Sequence, residues 1–302
     1  MIDFLLGNLI VLALPDLHKP QTILQSLPIS SDVPPDTVNA PHKKRPESLG
    51  VKTAAPSAFV ADVRSGTVLF AKDPHRVMPI ASITKLVTAM VFLEQKPDMT
   101  KTIVFLPVDF DGESRSPFKP GDVITYEDLL RSLLIGSVNA SANAMARSTL
   151  GMEKFVQAMN KKTKDLGLHT PSFVEPSGIN PENKASAADV AAILSIASGY
   201  PDIRRVTSQG DIDVGLKNVK KIIHIPATNL LLKTFLNKDP YKIIAAKTGS
   251  LPEAGYCMAQ LTKNAQGNEI VAVELGNDNH FSRYQDIKAM TAWAFETYQW
   301  EN

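Results

Sequence analysis

A chain of 302 residues, 44% hydrophobic and 21% charged, is long and apolar enough to bury a substantial core, which excludes disorder throughout. Thirty-two basic residues against thirty-one acidic ones leave a net charge of +1, so no overall field draws the chain to nucleic acid or anionic lipid. The single cysteine, Cys257, excludes an intramolecular disulfide and a multi-cysteine metal site; the six histidines are scattered without ligand spacing, so metal chemistry is not expected.

The chain opens on an apolar run, Phe4-Leu5-Leu6 and then Leu9 to Leu14, too short to span a membrane. Its length suits a secretory signal, although no lysine or arginine precedes it and Leu14-Pro15 is a poor cleavage site. Residues 1–14 are therefore a candidate signal or anchor segment, with a short helix packed on the body as the other reading. Residues 15–56 hold eight of the twenty-one prolines and few apolar repeats, which predicts an extended linker. The basic cluster His42-Lys43-Lys44-Arg45 within it reads as solvated charge.

From Ser57 two apolar runs flank Arg64-Ser65-Gly66, the pattern of a hairpin. Ser82 opens a run in which Ile83, Leu86, Val87, Met90, Val91 and Leu93 recur at helical spacing, so Ser82 is placed at a helix N-terminus. Four prolines and Gly121 break residues 96–124 into irregular connections with short strands. Thr125, with Asp128 three residues on, predicts an N-cap for the next helix. Further helices are expected from Met152 to Leu166 and from Ala185 to Ser198. After Pro201 strands are expected, at 222–225, 243–248, 255–261 and 270–275, before a last helix from Tyr284 to Tyr298. Strands at both ends with helices between them predict an α/β (α+β) fold, one antiparallel sheet built from both ends of a single catalytic-size domain at 57–302.

Three short patterns carry the chemistry: Ser82-Ile83-Thr84-Lys85 (S-x-x-K), Ser137-Val138-Asn139 (S-x-N) and Lys247-Thr248-Gly249 (K-T-G). Residues i and i+3 of a helix share a face, so the Lys85 amine can reach the Ser82 hydroxyl, which needs a base to become a nucleophile. Lys85 can serve only if burial and a nearby cation hold it unprotonated, and Lys247 is the candidate cation. K-T-G ends an apolar strand, where Gly249 would let a substrate backbone lie alongside. Lys247 and Thr248 could then hold a carboxylate, and the Ser82 and Ser250 N–H groups could form an oxyanion hole. Two decoys compete. Ser116-Pro117-Phe118-Lys119 contains proline and cannot be the helical turn required. Ser141-Ala142-Asn143 is not dismissed by spacing; Ser137 is preferred because Gly136 breaks the helix just before it.

With these three motifs in this order, the chain resembles the serine penicillin-recognising enzymes, and within them the low-molecular-mass penicillin-binding proteins, the D-alanyl-D-alanine carboxypeptidases and endopeptidases. The resemblance runs over residues 57–298 and includes Glu175-Pro176-Ser177-Gly178-Ile179, Ala187-Ala188-Asp189 and Ala254-Gly255-Tyr256. It implies a β-lactamase/transpeptidase-like fold with an all-helical subdomain and no cofactor. It implies Ser82 as acylated nucleophile, Lys85 as its base and Ser137 as proton relay. Asn139 would hold Lys85 and the substrate amide, and Lys247, Thr248 and Arg283 the terminal carboxylate. The substrates implied are peptidoglycan stem peptides outside the cytoplasmic membrane, in the periplasm or at the cell surface, with β-lactams as covalent inhibitors and the N-terminal segment as the candidate membrane tether. Ser250 stands where many carboxypeptidases of the group carry a bulkier residue, which leaves carboxypeptidase and endopeptidase both open. A β-lactamase would need its own deacylating glutamate, and Glu175, at a suitable distance downstream, does not match that pattern. A non-catalytic sensor domain would have no use for an activated serine.

Overall fold

The computed structural model describes residues 40–111 and 115–301, so the candidate signal at 1–14 and most of the expected linker lie outside the described residues. From residue 40 onward the chain is already attached to the body. Strand β1 (His42–Lys43) pairs antiparallel with Tyr298–Gln299, and the Lys44 ammonium donates to the Phe295 carbonyl at 3.3 Å. The Thr53 hydroxyl and Ala54 N–H both donate to the Asp286 carboxylate, at 3.0 and 2.8 Å, and Ala55 is fully buried. Residues 40–56 thus differ from the expected linker: proline removes helical and strand periodicity from a sequence without removing its contacts.

Strands β2 (Ser57–Asp62) and β3 (Val68–Lys72) form the predicted hairpin. The Asp62 carboxylate closes its turn by accepting the Ser65 N–H at 2.7 Å and hydroxyl at 2.6 Å. After β4 (Met78–Pro79), a 3₁₀ turn over Ala81–Thr84 leads directly into α1 (Lys85–Glu94). Eight of the ten α1 residues, Lys85 through Phe92, are buried, because a helix apolar on every side belongs in the interior.

Strands β5 (Thr102–Val104) and β6 (Val123–Thr125) pair across the proline-broken stretch. Helix α2 (Tyr126–Leu134) starts at Thr125, whose hydroxyl accepts the Asp128 N–H at 3.1 Å. Helices α3 (Asn139–Ser148) and α4 (Met152–Asp165) follow, then β7 (Lys184–Ala185), which pairs with β4, and α5 (Ala187–Ala197), capped by Ser186. The strands expected directly after Pro201 are preceded by a helix instead, α6 (Pro201–Thr207). Proline at its first position supplies the helical φ and lacks only an N–H that would go unused there, and seven residues are too few to show a period.

A hairpin of β8 (Ile212–Gly215) and β9 (Ile222–Ile225) leads to the C-terminal strands β10 (Lys242–Leu251), β11 (Gly255–Lys263) and β12 (Glu269–Asn277), then α7 (Ser282–Thr297) and β13 (Tyr298–Gln299). One antiparallel sheet in the order β10-β11-β12-β2-β3 joins the two ends of the domain, giving the predicted α+β architecture. Both sheet faces are covered, which is why its strands read as continuous apolar runs. Phe59 and Ala61 join the core beneath α1 and α5, whereas Ala58 and Val60 pack with Ile287 and Met290 of α7. Helices α2, α3, α4, α5 and α6 all pack on α1. The sheet edge β10 lies against the 3₁₀ turn that precedes α1.

Candidate active site

The nucleophile candidate sits on a strained turn. Ala81, buried and without glycine's freedom, adopts φ +47°, and Ser82 follows it half-exposed. Lys85, the first residue of α1, is fully buried. Its Nζ lies 2.9 Å from Ser82 Oγ, 2.7 Å from Asn139 Oδ1 and 2.5 Å from the Ser177 carbonyl oxygen. The last two groups can only accept. In its unprotonated form an amine has two N–H groups for carbonyls such as these and one lone pair that can take a hydroxyl proton.

Ser137 occupies the gap between α2 and α3 with φ +60°, so it does not share a helix with Ser141. The residue before it must be glycine, since a Cβ on Gly136 would stand 2.2 Å from Ile225. Ser137 Oγ accepts from Lys247 Nζ at 2.8 Å, and Lys247 also donates to the Thr248 carbonyl at 2.9 Å. Burial first, then positive charge at Lys85, when that amine is protonated, and at Arg283, press the Lys247 ammonium well below its ordinary value. Burial thus works against the charge that the sequence assigned to Lys247.

Gly249 does a job beyond the one expected of it. A Cβ there would stand 2.7 Å from the Ile80 carbonyl oxygen and 3.3 Å from the Ser82 nitrogen, so the glycine lets β10 close on the nucleophile turn of the protein itself. Its carbonyl accepts from Arg283 Nη1 at 2.9 Å, while Nη2 donates to the Tyr284 hydroxyl at 2.8 Å. The guanidinium lies over the rings of Tyr284 and Tyr256, at 4.7 and 5.3 Å, and its Nε has no partner among the described residues. Thr248 Oγ1 donates to Thr228 Oγ1 at 2.8 Å.

Ser82, Ser137, Thr248, Gly249, Ser250 and Arg283 line one groove of about 310 Å³, together with Thr228, and Lys85, Asn139 and Lys247 lie just behind its wall. The structure thus brings all nine candidate residues around one space. The decoys lie elsewhere: Ser141 Oγ is buried in a hydrogen bond with Ser132 at 2.8 Å, Asn143 donates to the Asp109 carbonyl at 2.9 Å, and Ser116 accepts the Phe118 N–H at 3.3 Å. Cys257 is buried, its thiol pushed up to about 12, and is inert packing.

Five residues of the groove wall, Ala227, Thr228, Leu230, His280 and Tyr284, stand in no motif and escaped the sequence reading. Ser177, behind the wall, had a signal in the segment Glu175 to Ile179. His280 stacks edge-on against Tyr256 at 5.4 Å, and burial together with Arg283 holds its imidazole below the ordinary value.

A serine one turn ahead of a buried lysine, set where a sheet edge meets a helical bundle, makes this a serine hydrolase that works by acyl transfer. The chain belongs to the D-alanyl-D-alanine carboxypeptidase family of serine peptidases, whose profile matches residues 40–279. It is 31% identical to a D-alanyl-D-alanine endopeptidase of Pseudomonas aeruginosa over 90% of this chain and 86% of that protein, and 28% identical to one of Escherichia coli, over 90% and 85%. A D-alanyl-D-alanine carboxypeptidase of Bacillus subtilis is 30% identical over 81% of this chain and 63% of its own length. Among solved structures, the fold is like that of the Streptomyces K15 DD-transpeptidase, with a TM-score of 0.74 at 24% identity over 82% of this chain and all of the other.

Proposed function

We propose that the protein is a D-alanyl-D-alanine endopeptidase that opens cross-links between peptidoglycan stem peptides through an acyl-enzyme on Ser82. The observation that carries the reading is the buried Lys85 amine, 2.9 Å from Ser82 Oγ with two carbonyls to take its N–H groups. In this reading Ser82 Oγ attacks the carbonyl of the D-alanine that forms the cross-link while Lys85 takes the hydroxyl proton. The N–H groups of Ser82 and Ser250 hold the oxyanion. Ser137 passes a proton to the leaving amine, and water then releases the acyl group and restores Ser82. The carboxylate of the leaving residue docks on Thr248 and Arg283, with Lys247 beside them, and Asn139 holds both Lys85 and the substrate amide. No step calls for a cofactor.

The preference for endopeptidase over carboxypeptidase rests on two observations. The relatives named endopeptidase are matched along most of their own length. The groove is also open-ended: Ser250, small and exposed, is shared with a second cavity of about 690 Å³ beyond the end of β10, which leaves room for a cross-linked peptide. Against the β-lactamase alternative, Glu175 turns both carboxylate oxygens into its own loop, where water in the groove cannot meet them. The substrate places the activity outside the cytoplasmic membrane; among the described residues no helix is long and apolar enough to cross one.

Mass spectrometry of products from a cross-linked stem-peptide dimer and from a free pentapeptide tests the reading. Conversion of dimer to monomers is expected, with Ser82→Ala silent on both substrates. Release of terminal D-alanine alone would make the enzyme a carboxypeptidase, and turnover by Ser82→Ala would remove the acyl-enzyme.

A further inference from the structure

The segment Glu175-Pro176-Ser177-Gly178 contributes no side chain to the groove wall, yet it is tied to the catalytic candidates from behind. The Glu175 carboxylate is saturated from within. Its Oε2 accepts the N–H and the hydroxyl of Ser177, both at 2.6 Å. Its Oε1 accepts the Gly178 N–H at 2.6 Å, the Asn180 N–H at 3.3 Å and Asn183 Nδ2 at 2.8 Å. Charge-assisted bonds of this length fix the turn 175–180 as one rigid piece.

That piece grips the nucleophile element at several points. The Pro176 carbonyl accepts from Thr88 Oγ1 at 2.6 Å, Asn183 Nδ2 donates to Thr84 Oγ1 at 3.3 Å, and the Ile80 N–H donates to the Asn183 carbonyl at 3.0 Å. Gly178, at φ +81°, lies so close that a Cβ would stand 2.1 Å from the Ala81 carbonyl oxygen. In the middle of this contact the Ser177 carbonyl accepts from Lys85 Nζ at 2.5 Å.

We propose that Glu175 is a positioning residue for the general base: by fixing the Ser177 carbonyl it engages one Lys85 N–H, as Asn139 engages the other, and so aims the lone pair at Ser82 Oγ. The inference rests on the acyl-enzyme reading above. An amine on a four-carbon stem turns freely about its last bond, and only two fixed acceptors leave its lone pair a single direction. Loosening the turn by removal of the carboxylate lets the Ser177 carbonyl drift, and misplacement of a catalytic group by about 1 Å costs on the order of 100-fold in rate.

Acylation of Ser82 by benzylpenicillin, followed by stopped flow, separates the non-covalent dissociation constant K from the acylation rate constant k2. Glu175→Ala is expected to lower k2 by about 100-fold with K within twofold of the unaltered protein, because the groove wall is untouched. Glu175→Gln, which keeps one accepting oxygen, is expected to recover part of this, with a fall of about 10-fold. Glu182→Ala, an exposed change on the same loop that removes only an ion pair to Lys184, is expected to change neither constant. A merely structural role would weaken K together with k2. That result, or a k2 within threefold of the unaltered protein in both Glu175 variants, would overturn the inference while leaving the acyl-enzyme reading intact. If Glu175→Ala does not fold by circular dichroism, Glu175→Gln decides alone. A complete lack of acylation in the unaltered protein would overturn the reading and the inference with it.

Discussion

Three basic side chains, Lys85, Lys247 and Arg283, surround one groove, and burial acts on them unequally. Lys247 is pressed well below its ordinary value, whereas a guanidinium keeps its charge at any working pH. Arg283, half-satisfied and held between two tyrosine rings, is thus the permanent positive charge available to a substrate carboxylate. Arg283→Ala is expected to raise KM about 10- to 100-fold for a peptide ending in a free carboxylate, with a smaller change in kcat, and to affect a C-terminally amidated peptide little. An equal loss on both substrates would show that Arg283 only holds up the groove wall. The two serine candidates separate by the same logic. Ser137→Ala is expected to slow acylation by benzylpenicillin at least tenfold, whereas Ser141→Ala removes a buried hydroxyl pair with Ser132, costs about 1 kcal/mol in a thermal melt and leaves acylation unchanged. Ser82 and Lys85 were legible in the sequence because i, i+3 is a local relation. Thr228 and His280 were not, because only folding carries their loops to the groove.

Among the elements, the turn from Ile80 to Thr84 is clamped from two sides, by Gly249 of β10 and by Gly178, and both glycines are required by backbone approach. Gly178→Ala has to push its Cβ away from the Ala81 carbonyl and keep φ +81°, which is expected to cost about 2 kcal/mol or more in denaturant unfolding and to slow Ser82 acylation. Gly210→Ala, which meets nothing within 4 Å, is the control and is expected to leave both unchanged or to stabilise slightly. The elements best read from sequence were those with a cap or a long period: α2 behind Thr125, α5, and the strands β10 to β12. Helix α6 and strand β8 were missed because seven and four residues hold too little pattern to distinguish helix from strand.

For the whole molecule, the joint between the two ends of the domain holds a buried carboxyl. Glu274 on β12 is fully buried beside Asp286 of α7, with Asn277 donating to both and Thr53 hydrogen-bonded to both carboxylates. Burial, then the Asp286 charge, raises the Glu274 carboxyl from 4.5 to about 9. The folded state therefore keeps a proton that the unfolded chain has lost, so the stability from this group is complete below pH 4.5 and declines as pH rises toward 9. The expected slope is about 1.4 kcal/mol per pH unit at its steepest, and Glu274→Gln, which cannot ionise, is expected to flatten it in melts taken from pH 5 to 9. A variant with an unchanged slope would place the ionising group elsewhere. The sequence by itself determined the α+β class, the pairing of both chain ends in one sheet, and the residue types of the S-x-x-K, S-x-N and K-T-G motifs, since periodicity, capping and i, i+3 contacts are local properties. Only the tertiary structure decided that residues 40–56 belong to the body, that Gly249 lets β10 close on the nucleophile turn, that burial works against charge on Lys247, and that Glu175 faces its own loop. Each of these depends on which groups share a low-dielectric space, and that is set by contacts between residues far apart in the chain.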